Sequence, residues 1–162
     1  MVSFISAQDW NWKNPFPIGN DLYSIACDSN AFVVVGDNGT ILTSIDGNSW
    51  EHQFVNIGKI NAVYHAETQF IAVSNEGHIL KSKDARAWET KMSPWGNSLY
   101  SIAYGNNLYV VVGFMGILIT SADGNRWTDG NSKTNASLFS IVYGDSQFIA
   151  VGQFGVIRTS QD

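Results

Sequence analysis

The sequence predicts an all-β fold made of repeated units, and three observations lead to this prediction. First, valine, isoleucine and aromatic residues are abundant, there are 15 glycines, and only 14% of the residues are charged. This composition is typical of short strands joined by tight turns. Second, the string SIDGNSW at residues 44–50 returns as SADGNRW at residues 121–127. Third, apolar segments recur with the same spacing, which is the signature of a repeat architecture.

The repeat has a period of 38 or 39 residues and runs through the whole chain. Segments of the LYSIAC type precede segments of the FVVVG type in every unit, and the serine of the opening string follows them. A tryptophan stands six residues after four of the five serines. The serines are Ser6, Ser44, Ser82, Ser121 and Ser160, and the tryptophans are Trp12, Trp50, Trp88 and Trp127.

Each unit is predicted to form four strands, of the types LYSIAY, LYVVVG and ILITS, with a fourth strand that starts at the tryptophan. The second strand is apolar throughout, which indicates burial on both faces. A four-stranded unit covered on both sides by its own copies is a propeller blade. We therefore predict one β-propeller domain over residues 1–162, with repeats at about 15–54, 55–93, 94–131 and 132–162, the last completed by residues 1–14.

The two ends of the chain predict how the ring closes. The C-terminal VIRTSQD stops where a tryptophan strand should follow, and the N-terminal QDWNWK supplies such a strand. We expect this strand to complete the last blade, either within one chain as four blades or across a homodimer as eight. The segment VSFIS at residues 2–6 also aligns with a third strand. Four-blade closure leaves that segment unexplained, so the homodimer is slightly favoured.

The recurring string is predicted to be structural. Its aspartate can accept backbone N–H groups within the turn, as in Asx turns, and its tryptophan can be buried between adjacent blades. Blade 2 departs from the pattern at Ser74 and Ala85, where the other repeats favour glycine, so we expect it to be the least regular blade. The predicted structural residues are Ser44, Asp46, Trp50, Ser82, Asp84, Trp88, Ser121, Asp123, Trp127 and Trp12.

This Ser-x-Asp-Gly-x-x-Trp string, following a Gly-x-Ile/Leu strand, resembles the Asp-box, or bacterial neuraminidase repeat. That repeat is found in sialidases, sortilin-type receptors and photosystem II assembly factors. The usual box has one more residue between its aspartate and its glycine. The resemblance covers nearly the whole chain and implies a propeller fold. It also implies that the box lies away from the active face, so it transfers no chemistry to this sequence.

Candidate binding residues come from the parts that vary between repeats. The turns between second and third strands should lie on the same face of the ring as the connections between blades. Exposed aromatic residues and methionine at turn tips are typical of recognition surfaces for proteins, and aromatic rings also stack on sugars. The alternative is that these side chains plug the channel mouth. The candidates are Asp37, Asn38, Asn75, Glu76, Trp95, Phe114, Met115, Gln153 and Phe154.

Catalytic and metal chemistry find little support in the sequence. A sialidase-like glycan hydrolase is the alternative function, with Asp37 and Glu76 as the nominated carboxylates, but it needs an arginine cluster and a tyrosine nucleophile. The three histidines, at positions 52, 65 and 78, lack metal-site spacing. We expect Cys27 to be a small buried residue. We expect that the protein is not an enzyme and uses no metal or cofactor. A third hypothesis for its function is a repeat-assembly building block without a ligand.

The charge pattern limits the classes of partner. The net charge is −5, and the nine lysines and arginines are scattered, so no nucleic-acid partner is expected. The sequence has no signal peptide or membrane-spanning segment that we recognise. We therefore expect a soluble protein, with the cytoplasm as the favoured location, that binds a protein or a glycan and forms a homodimer in one of the two closure schemes.

Overall fold

The computed structural model describes residues 19–160, which form four antiparallel sheets. Each sheet is one blade, and its strands lie in chain order. Blade 1 contains β1 (Leu22–Cys27), β2 (Phe32–Gly36), β3 (Thr40–Ser44) and β4 (Glu51–Phe54); blade 2 contains β5 (Ile60–Ala66), β6 (Gln69–Ser74), β7 (His78–Ser82) and β8 (Glu89–Met92); blade 3 contains β9 (Leu99–Gly105), β10 (Leu108–Gly113), β11 (Leu118–Ser121) and β12 (Thr128–Asp129); blade 4 contains β13 (Leu138–Gly144), β14 (Gln147–Gly152) and β15 (Ile157–Thr159).

The blades are arranged as in a β-propeller, which confirms the predicted fold class. The first strands of consecutive blades pack against one another, β1 on β5, β5 on β9 and β9 on β13. The first strands therefore lie innermost and the fourth strands outermost. Blade 4 has three strands among residues 19–160. The fourth strand predicted for it, with Trp12, lies outside the described residues.

The core lies between the blades rather than within them. Three apolar clusters fill the spaces between blades 1 and 2, 2 and 3, and 3 and 4. The second strands contribute to both sides: in β10, Val110 and Val112 face blade 4, whereas Val111 packs in the cluster with blade 2. All three valines are buried. This explains why the second strand of each repeat is apolar at every position.

The recurring serine–aspartate string forms the hydrogen-bonded turn that the sequence predicts. In blade 3, Asp123 Oδ1 accepts the backbone N–H groups of Asn125 and Arg126 at 2.8 and 2.9 Å, and the Ser121 hydroxyl donates to the same oxygen at 3.1 Å. Asp46 and Asp84 have the same set of bonds. The tryptophan rings Trp88 and Trp127 are half-buried and pack against the inter-blade clusters.

Blade 2 has Ala85 and Ser74 at positions where other blades have glycine, and the fold accommodates the two residues differently. Ala85 adopts a left-handed backbone with φ of 61°, which favours glycine, and its methyl group is buried in the cluster between blades 1 and 2. Ser74 is fully buried, and its hydroxyl accepts the backbone N–H groups of Glu76 and His78. In blade 3 a side chain at the matching Gly113 would place its Cβ 2.2 Å from the Ser98 carbonyl oxygen.

The prediction that Cys27 is buried is wrong. Cys27 ends β1 and is exposed. Alternation along a strand puts it on the same face as Ile25, and this face of blade 1 is not covered by another blade within residues 19–160. The burial of a residue at this position depends on a neighbouring blade, which the local sequence does not reveal.

Within residues 19–160, no helix has the length and apolar character needed to cross a bilayer.

Candidate functional site

The propeller has two faces that carry different turns. In each blade the turn between the second and third strands lies at the same end as the connection to the next blade, because the strands alternate in direction. We call this end the turn face; it is formed by residues 37–39, 75–77, 114–116 and 153–155. The opposite end, the box face, carries the serine–aspartate turns at residues 44–49, 82–87 and 121–126.

The turns of the turn face are held by backbone hydrogen bonds to the chain that enters each blade. The N–H groups of Asp37, Phe114 and Gln153 each donate at 2.9 Å to the carbonyl oxygen of the residue directly before the first strand of the same blade. The acceptors are Asp21, Ser98 and Ser137, respectively. The turn tips are therefore fixed in position, and their side chains are presented on a rigid base.

The backbone at the tips of three turns is left-handed. Asn38, Met115 and Phe154 have φ values of 53°, 50° and 57°. Asparagine tolerates this conformation well, whereas a bulky side chain is strained in it. Met115 is nevertheless 60% exposed and Phe154 is 96% exposed. Neither backbone preference nor burial therefore explains why these two positions carry large apolar side chains.

The first strand of every blade contains a β-bulge at its second residue. In β1, Leu22 pairs with Gly36 and Ser24 pairs with Val35, which leaves Tyr23 without a partner. The same register shift occurs in the other three blades. A bulge redirects the side chain of the extra residue and is frequent next to binding sites. The bulged residues are Tyr23, Asn61, Tyr100 and Phe139, all near the turn-face end of the innermost strands.

Blades 1 and 2 provide a polar half of the turn face. The Tyr23 hydroxyl donates to Asp37 Oδ2 at 3.0 Å, and Lys59 Nζ lies 3.6 Å from the centre of the Tyr23 ring. Local desolvation, together with the hydrogen bond to Asp37, raises the pKa of the Tyr23 phenol. Asn38 donates to Asn20 Oδ1 at 3.1 Å. The carboxylate of Glu76 lies against Gly58 in the connection between blades 1 and 2.

Blades 3 and 4 provide an apolar half. Phe114, Met115 and Phe139 are exposed large apolar residues, and the Phe139 and Tyr100 rings lie 5.7 Å apart, centre to centre. The Met115 N–H donates to the Ser137 hydroxyl at 3.1 Å, so the turn of blade 3 rests on the start of blade 4. Gln153 accepts the Ser137 N–H through its side-chain oxygen. We call Phe114, Met115, Tyr100 and Phe139 the apolar patch.

The structure places eight of the nine candidate residues at the tips of turns on the turn face. The ninth, Trp95, lies apart from them. The indole N–H of Trp95 donates to Asp129 at 3.2 Å, and Asp129 belongs to β12, the outermost strand of blade 3. Trp95 is therefore held at the outer edge of blade 3. Sequence reasoning missed the bulged residues and Lys59. The signal was present in the strings LYSI and LFSI, where an aromatic residue recurs after a leucine.

The groups required for hydrolysis or metal binding are dispersed. Arg86 and Arg126 lie in turns of the box face, whereas Arg158 lies on β15 and donates to the Lys133 carbonyl oxygen. His52, His65 and His78 lie on three different strands. Within the part of the chain that the structure describes, no group of three or more histidine, cysteine, aspartate or glutamate residues is placed to hold a metal ion.

A groove of about 560 Å³ lies between blades 3 and 4 on the outer side of the ring. Its wall in blade 3 includes Leu118 and Thr120, and its wall in blade 4 includes Phe148 and Ile157. Leu118 and Thr120 are the repeat equivalents of Ile79 and Lys81, which lie beside Trp127. The groove between blades 3 and 4 therefore occupies the place that Trp127 fills between blades 2 and 3.

The comparisons with known proteins identify the fold. No protein-family model and no curated protein matches the sequence. The computationally designed Ika4 protein is 13% identical over 86% of this chain and 90% of its own, with a TM-score of 0.70. YCF48 from Cyanidioschyzon merolae is 19% identical over 90% of this chain and 54% of its own, with a TM-score of 0.68.

A second YCF48 structure, described as bound to a D1 peptide, is 18% identical over 88% of this chain and 49% of its own, with a TM-score of 0.66. This chain thus spans about half the length of the YCF48 chains it matches. At such identities the similarity establishes the fold alone. The class of protein is a β-propeller, with four blades among residues 19–160.

Proposed function

We propose that this protein is a non-catalytic β-propeller module that binds a peptide segment of a partner protein on its turn face. The observation that carries the proposal is Met115, which is 60% exposed and strained although blade 4 packs beside its turn. Strain at an exposed apolar residue is a reason to look for function. Met115 belongs to a patch of four large side chains, and such patches commonly mark interaction sites.

A peptide is the ligand class that suits both halves of the turn face. The apolar patch offers contact area for aliphatic or aromatic anchors. The polar half, with Asp37 and Lys59, offers hydrogen bonds and both signs of charge. The YCF48 structure described as bound to a D1 peptide supports a peptide ligand for a propeller of this kind. A glycan that stacks on Tyr100 and Phe139 is the competing ligand.

The separation of Arg86, Arg126 and Arg158 supports the non-catalytic assignment, because a sialidase-like site needs an arginine cluster. Asp37 accepts a hydrogen bond from Tyr23, and Glu76 lies 3.9 Å from His78 Nδ1. The serine–aspartate turns are, in this proposal, boxes of the Asp-box type with a structural role.

We also propose that the working unit is a homodimer. Within residues 19–160 the four blades form an arc. Large apolar side chains are exposed at both of its ends, including Ile25 in blade 1 and Ile157 in blade 4. Exposed apolar area of this kind is unfavourable in an isolated protomer. A building block whose only role is assembly would share this homodimer but would lack a ligand on the turn face.

The test is selection of binding peptides from a displayed random-peptide library on the full chain. Binding of one selected peptide is then measured by fluorescence polarisation. We expect peptides with apolar anchors, and a loss of affinity of about tenfold or more in Met115→Asn and in Phe139→Ser, as is typical when interface anchors are truncated. Both side chains are exposed, so the substitutions leave the core intact.

The matched control is Ile45→Asn, which removes an exposed apolar side chain from the box face. This variant should bind the selected peptide as the unchanged protein does. Equal affinity of all variants, or failure to select any peptide, contradicts the proposed peptide site. A glycan array run in parallel identifies the competing ligand, and turnover of any glycan would contradict the non-catalytic assignment.

A further inference from the structure

Every interface between blades is built from the same two surfaces. The preceding blade contributes its trailing face, which in blade 2 comprises Ile71, Val73 and Ile79. The following blade contributes its leading face, which in blade 3 comprises Leu99, Ile102 and Tyr109. Equivalent positions form the interfaces between blades 1 and 2 and between blades 3 and 4. One apolar contact is thus repeated three times within the chain.

Blade 1 has a leading face that no blade covers within residues 19–160. Leu22, Ile25 and Phe32 are the repeat equivalents of Leu99, Ile102 and Tyr109, and all three are exposed. The contrast is large at the middle position, where Ile25 is 61% exposed and Ile102 is 5% exposed. The residues have the chemistry of a buried interface, but they lack the partner surface.

Blade 4 has the complementary surface in the same condition. Its trailing face comprises Ile149, Val151 and Ile157, the equivalents of Ile71, Val73 and Ile79. Val151 is 42% exposed and Ile157 is 65% exposed, whereas Val73 is fully buried. The two ends of the arc therefore present the two halves of the interface that holds the interior blades together.

These two halves do not meet within residues 19–160, where both remain exposed. The three interior interfaces are packed, whereas no described residue covers the leading face of blade 1 or the trailing face of blade 4. Closing four blades on themselves would require the packed interfaces to shift. A second copy offers both missing surfaces at once, because a repeated head-to-tail contact closes a ring when its rotation fits.

We propose that two copies of this chain associate head to tail, the leading face of blade 1 in each copy packing on the trailing face of blade 4 in the other. The result is a ring of eight blades with two identical junctions. This inference rests on the homodimer of the proposed function and specifies its surfaces and its polarity. The occupant of both faces is a second copy, because the interior of the chain already contains the contact that it would make.

The first measurement is the mass of the full chain in solution, by light scattering and sedimentation over a range of concentrations. We expect twice the chain mass of 17.8 kDa. Ile25→Glu and Val151→Glu each place a charge in one of the two faces and should each reduce the mass to that of one chain. Both positions are exposed in the protomer, and circular dichroism will verify that the variants are folded. Ile45→Glu, on the box face, should remain a dimer.

The decisive measurement is an equimolar mixture of Ile25→Glu and Val151→Glu. Head-to-tail pairing leaves one junction of the mixed dimer with both faces unchanged, so the mixture should recover much of the dimer that each variant lacks. A contact between two copies of the same face gives no such recovery. Recovery therefore supports the proposal, and its absence in folded variants overturns it.

The remaining outcomes distinguish a failure of the assigned surfaces from a failure of the homodimer itself. A mass of one chain for the unchanged protein overturns both. A dimer that survives Ile25→Glu and Val151→Glu keeps the homodimer but overturns the surfaces assigned here. Assemblies that grow beyond two copies overturn closure as an eight-blade ring. None of these results depends on the peptide site, which is measured on separate variants.

Discussion

The interior blades and the terminal blades have the same sequence pattern but very different burial. Ile102 in blade 3 is buried in the cluster with blade 2, whereas its equivalent Ile25 in blade 1 is largely exposed. Val73 in blade 2 and Val151 in blade 4 differ in the same way. A repeat of this kind cannot bury its apolar faces alone, because each face needs the next unit. Position along the array, rather than local sequence, decides which apolar residues form a core.

The largest effect is expected at the open side of blade 4. Deletion of residues 1–14 removes the strand that we predict to complete this blade and to bring Trp12 into the groove of about 560 Å³. The edge of β15 would remain unpaired, and an open apolar edge invites pairing with other chains. The truncated protein should aggregate or lose cooperative unfolding, as measured by light scattering and thermal denaturation.

A shorter deletion is the control for this experiment. Removal of residues 1–8 retains Trp12 and the sequence around it, and this protein should stay soluble and unfold cooperatively. If the deletion of residues 1–14 also leaves solubility, mass and melting temperature unchanged, the N-terminal segment does not complete blade 4. The missing fourth strand of blade 4 among the described residues would then need another explanation.

The next effect measures the difference between interior and terminal positions directly. Ile102→Ala should destabilise the protein by about 3 kcal/mol, because it opens a cavity in a packed cluster. Ile25→Ala should cost less than about 1 kcal/mol in dilute protein, because the side chain is already in contact with solvent. Urea unfolding at a concentration that favours single chains gives both values. Equal losses would show that Ile25 is covered in the protomer.

The sequence predicts much of this fold because most of its determinants are local or periodic. Repeat length, strand order and the hydrogen bonds of Asp123 all follow from the string and its spacing. The exposure of Ile25 and Cys27 does not, because it depends on whether another blade lies beside blade 1. The contact between Trp95 and Asp129 joins distant parts of the chain, and the bulge at Phe139 depends on strand register. No short pattern encodes the Trp95 contact, and the string LFSI marks the aromatic residue at the bulge but not the register shift itself.

The serine–aspartate turns should respond to acid in the same way in both kinds of blade, because their hydrogen bonds are local. The backbone N–H groups of Arg126 and Asn125 lower the pKa of Asp123 to about 2, and similar bonds lower the pKa of Asp46. A lowered pKa in the folded state adds stability above the ordinary value of 3.8, and this stability is lost as the pH falls towards 2.

Asp123→Asn in blade 3 and Asp46→Asn in blade 1 should therefore both reduce the fall in melting temperature between pH 5 and pH 2. Asparagine can still accept the backbone hydrogen bonds through its amide oxygen, but it does not titrate. Asp145→Asn, in the turn between β13 and β14, lies outside these turns and serves as the control. A response confined to Asp123 would mean that the turn depends on neighbouring blades after all.

The smallest effect concerns backbone strain at the tips of the turn face. Met115, whose turn rests on blade 4, and Phe154, whose turn has no following blade among the described residues, share a left-handed backbone. Asparagine accepts this conformation more readily than a bulky side chain does. Met115→Asn and Phe154→Asn should each stabilise the protein by about 0.5–1 kcal/mol in urea unfolding. The reverse change, Asn38→Met in blade 1, should destabilise it by a similar amount.

Because both gains come from the backbone, they should be equal in the interior and terminal turns. A loss of stability in Met115→Asn alone would instead mean that Met115 contributes packing against blade 4, and its exposure would no longer require a ligand.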